Sequence, residues 1–130
     1  MSTMPRFVLH AHSGFGPTHY DLMIEQARSL ATWQFQTDPS GLADEERQKS
    51  SPLPCRQIAD HRKAYLDYQG PVSKGRGIID RIDSGDCILI DDQPLRRLAE
   101  FSGQRLKGLY ELARKDPQDD LWSFRPLSLV

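Results

Sequence analysis

His12, His19 and Asp21 lie on either side of a turn rich in glycine and proline, SGFGPT. Two imidazoles and a carboxylate form a ligand set that can bind divalent manganese, iron or zinc and leave coordination positions open for water or substrate. A cation held there would polarise a phosphoryl oxygen or activate a water molecule. The spacing of the three residues matches no common short zinc motif, so spacing alone favours ordinary polar residues at the end of a strand.

A second group of reactive side chains is His61 and Tyr65, in the segment DHRKAYLDY. A histidine can transfer protons as a general acid or base, and a tyrosine hydroxyl can donate a hydrogen bond to an oxyanion. In the alternative interpretation, Tyr65 and Tyr68 are half-buried aromatic residues whose hydroxyl groups reach solvent. Taken alone, the segment favours this structural interpretation.

The glycine-rich segment GPVSKGRG, residues 70–77, is a third candidate. Its glycines free backbone N–H groups, and Lys74 and Arg76 add positive charge, so the segment could hold a phosphate group. It has no Walker-type pattern, and no helix is predicted after it. A hairpin loop with solvated charges is therefore the favoured alternative.

Strand periodicity decides whether the side chains of His12, His19 and Asp21 can approach one another. Period-two alternation predicts a strand over residues 19–25, in which alternate side chains share a face. His19 and Asp21 should therefore lie on one face, about 6–7 Å apart along the strand, with Leu22 and Ile24 on the other. One ion would be within reach of both side chains.

The rest of the chain is predicted to be mainly β. Residues 37–55 form an exposed excursion, with one or two helical turns in LADEERQK that Pro52 and Pro54 end. Segments divided by glycine, proline and aspartate, with a turn at Ser84-Gly85, predict strands at 6–12, 19–25, 30–36, 78–83, 87–92, 95–103, 105–114 and 121–127. This pattern indicates an antiparallel β-barrel-like fold with one or two short helices.

Composition narrows the class of protein. The 130 residues suffice for one domain, residues 1–130, and the formal net charge of −1 gives no general attraction to nucleic acid or to an anionic membrane. No apolar run approaches bilayer length, and Met1–Arg6 has no signal-peptide character. Cys55 and Cys87 lack CxxC spacing and are expected to be reduced thiols. These features predict a cytoplasmic protein that makes no membrane contact.

Three segments, in order, resemble the 3′-phosphoesterase domain of bacterial ATP-dependent DNA ligase D. The family run F-V-x-x-x-H-D-x-x-x-L-H-Y-D-F-R-L-E is similar to FVLHAHSGFGPTHYDLMIE, which LATWQF follows as the family's tryptophan strand would. The family pattern E-D-H-x-x-x-Y-x-D-[FY]-x-G is similar to ADHRKAYLDYQG. FSGQRLKGLYELAR and LWSFRP are similar to the last family strands, with core L-K-G-x-[WFY]-x-L-x-R. The similarity extends from Phe7 to about Pro126.

The resemblance implies a barrel-like domain that binds a divalent metal, manganese above zinc or another ion, and processes the 3′ ends of DNA in repair. In the family this means removal of a terminal ribonucleoside and then of the 3′-phosphate. DNA or RNA/DNA 3′ ends would be the substrate, and a separately encoded ligase or polymerase would be the protein partner. We expect a monomer.

The resemblance also assigns residues. His12, His19 and Asp21 match the metal-ligand positions, with His10 as the alternative first ligand because one extra residue separates the histidines here. His61 and Tyr65 match the active-site histidine and tyrosine. The expectation is that His19 and Asp21 lie on the inner face of the barrel and that the turn brings His12 back to them.

Several family residues are replaced. Gly16 and Pro17 stand where the family has one arginine, Met23 stands where it has another, and Ala59 replaces a glutamate. Loss of one donor to a transition state typically costs a factor of about 10²–10³ in rate. Phosphate binding would then fall to His10, Lys74 and Arg76.

Two alternatives to an active enzyme remain open. The chain could be a non-catalytic module that keeps the fold and the ion and binds nucleic acid or a repair partner. It could also keep only the inherited scaffold, in which case His12, His19 and Asp21 should not converge. Side chains more than about 6 Å apart would be too distant for ligand bonds near 2 Å.

Overall fold

The computed structural model describes residues 4–40 and 52–127, and strands dominate them. One 3₁₀ turn, Lys63–Leu66, lies between the fourth and fifth strands. The strands are β1 Arg6–Ser13, β2 His19–Glu25, β3 Leu30–Phe35, β4 Leu53–His61, β5 Gly70–Pro71, β6 Ile78–Gln93, β7 Arg96–Ser102, β8 Lys107–Ala113 and β9 Leu121–Pro126. The predicted mainly β composition is confirmed.

The strands form one antiparallel sheet that closes on itself. Their order is β1-β2-β3-β4-β9-β8-β7-β6-β5, and β1 also pairs with β6. The short β5 adds to β6 beside the ring. This closure confirms the predicted barrel-like architecture. The β1–β2 hairpin has β3 on one side and β6 on the other, so paired strands support it on both edges.

Alternation along each strand divides the apolar residues between two clusters. The barrel core holds the inward-facing side chains, including Phe7, Leu9, Leu22, Ile24, Trp33, Phe35, Phe101, Leu112, Trp122 and Phe124. A smaller cluster lies on the opposite face of β1, β2 and β3, where Val8, Met23 and Leu30 pack against Leu66 of the 3₁₀ turn. The turn therefore covers part of the outer face of the barrel.

The predicted turn at Ser84-Gly85 is wrong, because β6 runs unbroken through it. Ser84 pairs with β1, and Asp86 pairs with Arg6 on one side and Ser102 on the other. A Cβ on Gly85 would lie 2.2 Å from the carbonyl oxygen of Ser102. Glycine is needed there for close approach of two backbones rather than for a change of direction.

The predicted excursion over residues 37–55 is wrong at its end, where Leu53–Cys55 begin β4. Pro52 and Pro54 stand close together in the sequence, which argues against a strand there. Pro54 is tolerated because the first residues of β4 pair with β9, whereas pairing with β3 starts only at Arg56. The expected helical turns in LADEERQK lie outside the described residues.

Two further sequence expectations concern the cysteines and the membrane. Cys55 and Cys87 are free and buried, and burial raises the pKa of each thiol to about 12. They are therefore protonated at neutral pH and unreactive as nucleophiles. No helix within residues 4–40 and 52–127 is long and apolar enough to cross a bilayer.

Candidate metal centre

The candidate metal centre lies on the outer face of the β1–β2 hairpin. His12 pairs with His19 across the two strands, and His10 pairs with Asp21. Leu22 and Ile24 belong to the barrel core, so the predicted separation of the two faces is correct. The expectation that His19 and Asp21 line the inner face is wrong, because apolar side chains fill the interior.

The three side chains converge. The ligand atoms of His12, His19 and Asp21 all lie within 4.8 Å of one another. The His19 Nε2 and Asp21 Oδ2 atoms are 3.4 Å apart, and the two imidazole centroids are 4.7 Å apart. The scaffold-only alternative required separations above about 6 Å, and the geometry does not agree with it.

Asp21 carries an unpartnered oxygen. The residue is 5% exposed, and its buried Oδ1 atom accepts no hydrogen bond from any described residue. Burial raises the pKa of Asp21, although His19, His61 and His12 oppose the rise. A buried carboxylate oxygen without a donor is costly unless a cation is bound nearby. With two imidazoles beside it, the Asp21 carboxylate completes a donor set that fits manganese, iron or zinc.

The loop over residues 70–77 fixes the ring of His12. His12 Nε2 lies 2.7 Å from the carbonyl oxygen of Arg76. Gly77 makes this contact possible, since a Cβ there would lie 2.1 Å from the carbonyl oxygen of Ser13. The φ of Gly77 is +86°, in the region that favours glycine. The turn after β1 and the 70–77 loop are therefore packed backbone against backbone.

His61 and Tyr65 lie on the same side as the cluster. Their ring centroids are 5.7 Å apart, and His61 Nδ1 lies 3.1 Å from the carbonyl oxygen of Ala59. The 3₁₀ turn carries Tyr65 over the hairpin, held by an ion pair between Lys63 Nζ and Glu25 Oε2 at 3.1 Å. Both predicted residues thus border the candidate metal centre.

A small pocket connects these groups. Its volume is about 160 Å³. It is lined by His12, Asp21, Met23, His61, Tyr65, Val72, Arg76 and Ile79. His12 and Asp21 of the hairpin therefore share one cavity with His61 and Tyr65, whereas His19 lies beside Asp21 and does not line the cavity.

The three predicted phosphate-binding residues are placed differently. His10 is fully buried and does not line the pocket, and burial, with His61 and Arg81 nearby, lowers its pKa to about 4. Arg76 lines the pocket, but its guanidinium donates to the Ser73 carbonyl and hydroxyl oxygens. Lys74 does not line the pocket. The cluster also includes His12 rather than its alternative, His10.

Sequence reasoning missed the apolar walls and the backbone support. Val72 and Ile79 line the pocket but carry no chemical signal of their own. The backbone carbonyl of Arg76 orients His12. Every residue has a backbone carbonyl, so residue type does not predict this contact. The glycine at position 77 is the sequence feature that accompanies it. No protein-family model matches the chain, and no curated protein shows a significant sequence match to it.

Proposed function

We propose that the chain is a metal-dependent phosphoesterase that acts on the 3′ ends of DNA, of the type found in DNA ligase D. The observation that carries this proposal is the meeting of the His12, His19 and Asp21 ligand atoms within 4.8 Å, with His12 and Asp21 lining one pocket together with His61. Barrel strands separated by long stretches of sequence supply the two groups. A drifting scaffold has no structural reason to retain both.

The pocket beside the candidate metal centre is proposed to hold a phosphate group. The volume of the pocket is about 160 Å³. A divalent cation, manganese by resemblance, would supply charge neutralisation at a phosphoryl oxygen and lower the pKa of a water. The proposed ligand of the pocket is a terminal phosphate rather than an internal phosphate of a duplex.

His61 is the residue best placed to transfer a proton. Its Nδ1 atom lies beside the Ala59 carbonyl, which only accepts hydrogen bonds, so Nδ1 carries the proton of the neutral ring. Nε2 then has a free lone pair and can remove a proton from a water or a substrate hydroxyl. Protonated Nε2 can donate to a phosphoryl oxygen or to the leaving group. Tyr65 forms the adjoining wall and is proposed to help orient the substrate.

The biological setting follows from the resemblance. We infer a role in DNA repair, in which a 3′-ribonucleotide or 3′-phosphate is removed before a separately encoded ligase or polymerase acts. The proposed protein is a cytoplasmic monomer. Lys74 and Arg76 are proposed to approach the phosphate only with substrate bound, because Arg76 donates to Ser73 instead.

The direct test is an end-processing assay. Oligonucleotide primers ending in a 3′-phosphate or a 3′-ribonucleotide are incubated with the chain and manganese, and released products are measured. We expect turnover by the wild type and by Asp86→Asn, which alters an exposed carboxylate of β6. His19→Ala should abolish it. Equal product from wild type and His19→Ala would contradict the proposal.

A second candidate function is a binding module without catalysis. It is favoured by Met23, which lines the pocket where the family has an arginine, and by the engagement of Arg76 with Ser73. Such a module would bind manganese and nucleic-acid ends without releasing phosphate. Its binding to DNA would weaken with added salt. Metal binding without turnover in the end-processing assay would support this function instead.

A further inference from the structure

A second cavity adjoins the candidate metal centre. Its volume is about 350 Å³, at the lower end of the roughly 300–1,000 Å³ typical of small-molecule sites. The residues that form it include Arg62, Tyr65, Tyr68, Pro71, Val72 and Ser73. Tyr65 and Val72 also line the metal pocket, so the two cavities share a wall. We call the larger one the aromatic cavity.

The walls of the aromatic cavity are mostly flat and apolar. Tyr65 and Tyr68 meet edge to face, with centroids 5.9 Å apart and an interplanar angle of 89°. The hydroxyl of Tyr68 donates to the carbonyl oxygen of Pro71, which ties the ring to the loop. Tyr68 is nevertheless 39% exposed. An exposed ring held in place by a hydrogen bond offers a stacking surface at low entropic cost.

The positively charged side chain of Arg62 lines the same cavity. The Arg62 guanidinium carbon lies 5.9 Å from the centroid of Tyr65. Arg62 is exposed and forms no ion pair with any residue in the described part of the chain. Arginine suits a phosphate because its donors form a fixed fork. The cavity thus combines a stacking ring, apolar walls and an available cation.

We propose that the aromatic cavity binds the nucleobase of the nucleotide whose 3′-phosphate enters the metal pocket. This inference rests on the proposed function and defines its substrate class as nucleoside 3′-phosphate ends rather than phosphate monoesters in general. The base stacks on Tyr68 beside Pro71 and Val72, and Arg62 contacts the phosphate on the 5′ side. Stacking contacts the face of a base and makes no hydrogen bonds to its edge. The site therefore accepts any base but disfavours an abasic end.

The first experiment measures binding without turnover. A nucleoside 3′,5′-bisphosphate whose base is 2-aminopurine is titrated into the full chain in EDTA, since stacking quenches its fluorescence and its 5′-phosphate is the group that Arg62 is proposed to contact. We expect quenching by the wild type and by Tyr68→Phe, which keeps the ring. Tyr68→Leu and Arg62→Gln should each bind about tenfold more weakly, in the range expected for loss of one stacking or phosphate contact. Equal binding by Tyr68→Leu and the wild type would overturn the proposal.

The second experiment changes the substrate, so its comparison within the wild-type protein does not depend on whether a variant folds. Phosphate release with manganese is compared for 3′-phosphate ends with a normal terminal nucleotide and with an abasic analogue. The wild type should process the abasic end at least tenfold less efficiently, in kcat/KM, whereas Tyr68→Leu should treat both ends alike.

The outcomes separate the two proposals. Equal processing of both ends by an active wild type would overturn the base site and leave the phosphoesterase function standing. Quenching that depends on Tyr68, without phosphate release under any condition, would overturn the phosphoesterase function and support the base site. Absence of both binding and release would overturn both.

Discussion

Two backbone carbonyls determine where the protons of the candidate site lie. The Arg76 carbonyl accepts from His12 Nε2, and the Ala59 carbonyl accepts from His61 Nδ1. The neutral rings therefore leave a lone pair on Nδ1 of His12 and on Nε2 of His61. A lone pair is what a metal ligand and a general base require. The backbone thus selects useful tautomers for both rings.

His61 should be separable from the metal ligands by substitution. His61→Ala should reduce kcat for 3′-phosphate release by about 10²–10⁴, because general acid–base catalysis contributes a factor of that size. Manganese affinity, measured by calorimetry, should stay within about threefold of the wild type. Asp60→Asn is the control, since exposed Asp60 accepts hydrogen bonds from Gln26 and Ser29. Loss of manganese binding in His61→Ala would contradict this division of roles.

At the residue scale, the sequence predicted the reactive side chains well and their surroundings poorly. His12, His19 and Asp21 could be grouped because residue type and strand period are both local properties. The placement of His10 could not be predicted, since its 0% exposure results from pairing with β2 and β6 and from the 3₁₀ turn above it. Arg76 similarly acts at His12 through its carbonyl, which no residue type encodes.

At the scale of elements, the β1–β2 turn and the 70–77 loop form one support for the site. A Cβ on Gly14 would lie 3.5 Å from Gly77 Cα, and a Cβ on Gly77 would clash with the carbonyl oxygen of Ser13. This packing carries the Arg76 carbonyl to His12. The glycines therefore support the candidate metal centre through the backbone rather than through the His12, His19 and Asp21 side chains.

Gly77→Ala should weaken the metal centre through this support. Hydrogen-bond partners of metal-bound histidines typically account for 10–100-fold in metal affinity, so we expect a loss of about that size for manganese. Gly75→Ala is the matched control: its φ is +66°, so alanine is strained there too, but no atom lies within 4 Å of the added Cβ. Both variants should lose about 1 kcal/mol or more in stability. Equal manganese affinities in the two variants would contradict the argument.

The strands that the sequence mispredicted are those whose partners change along their length. Residues of β6 pair first with β1 and then with β7, so its glycine at position 85 looks like a turn in isolation. β4 likewise pairs with β9 and then with β3, and Pro54 stands in the first part. The short regular strands β1 and β2 carry one pattern throughout, and their bounds were predicted closely.

At the scale of the whole molecule, the barrel interior and the candidate site are independent. Phe7, Leu9, Leu22 and other apolar residues fill the core, whereas the site stands on the opposite face of the same strands. Closure of the sheet could be anticipated from the number and spacing of strands, but not the face that carries the site. That choice depends on the 3₁₀ turn, which covers the outer face. Substitutions in the site should consequently leave the barrel folded.

The folding stability should depend on pH through the carboxylate of Glu111, whose strand is not adjacent in the sheet to the strands of the candidate site. Glu111 on β8 is 8% exposed and accepts hydrogen bonds from Arg96 on β7 and Arg125 on β9. Burial alone would raise the pKa of Glu111, but the two arginines outweigh burial and lower it below its ordinary 4.5. Its stabilising contribution is therefore complete above pH 4.5 and is lost as the pH falls through the lower, folded-state pKa.

Glu111→Gln should remove this contribution. At pH 7 we expect the free energy of unfolding in urea to fall by about 1–2 kcal/mol, because charge-assisted hydrogen bonds are replaced by neutral ones. The difference from the wild type should shrink as the pH falls below 4.5. Glu100→Gln, an exposed residue of β7, serves as the control. A difference that grows towards acid pH would contradict the predicted sign.

The central claim is that His12, His19 and Asp21 hold one divalent cation on the outside of the barrel. Electron paramagnetic resonance of free Mn²⁺, titrated against the chain, measures this directly. The wild type should bind one Mn²⁺ per chain. Asp80→Asn, an exposed carboxylate beside the hairpin on β6, should bind equally, and Asp21→Asn should not bind. Undiminished binding by Asp21→Asn, or none by the wild type, would contradict the claim.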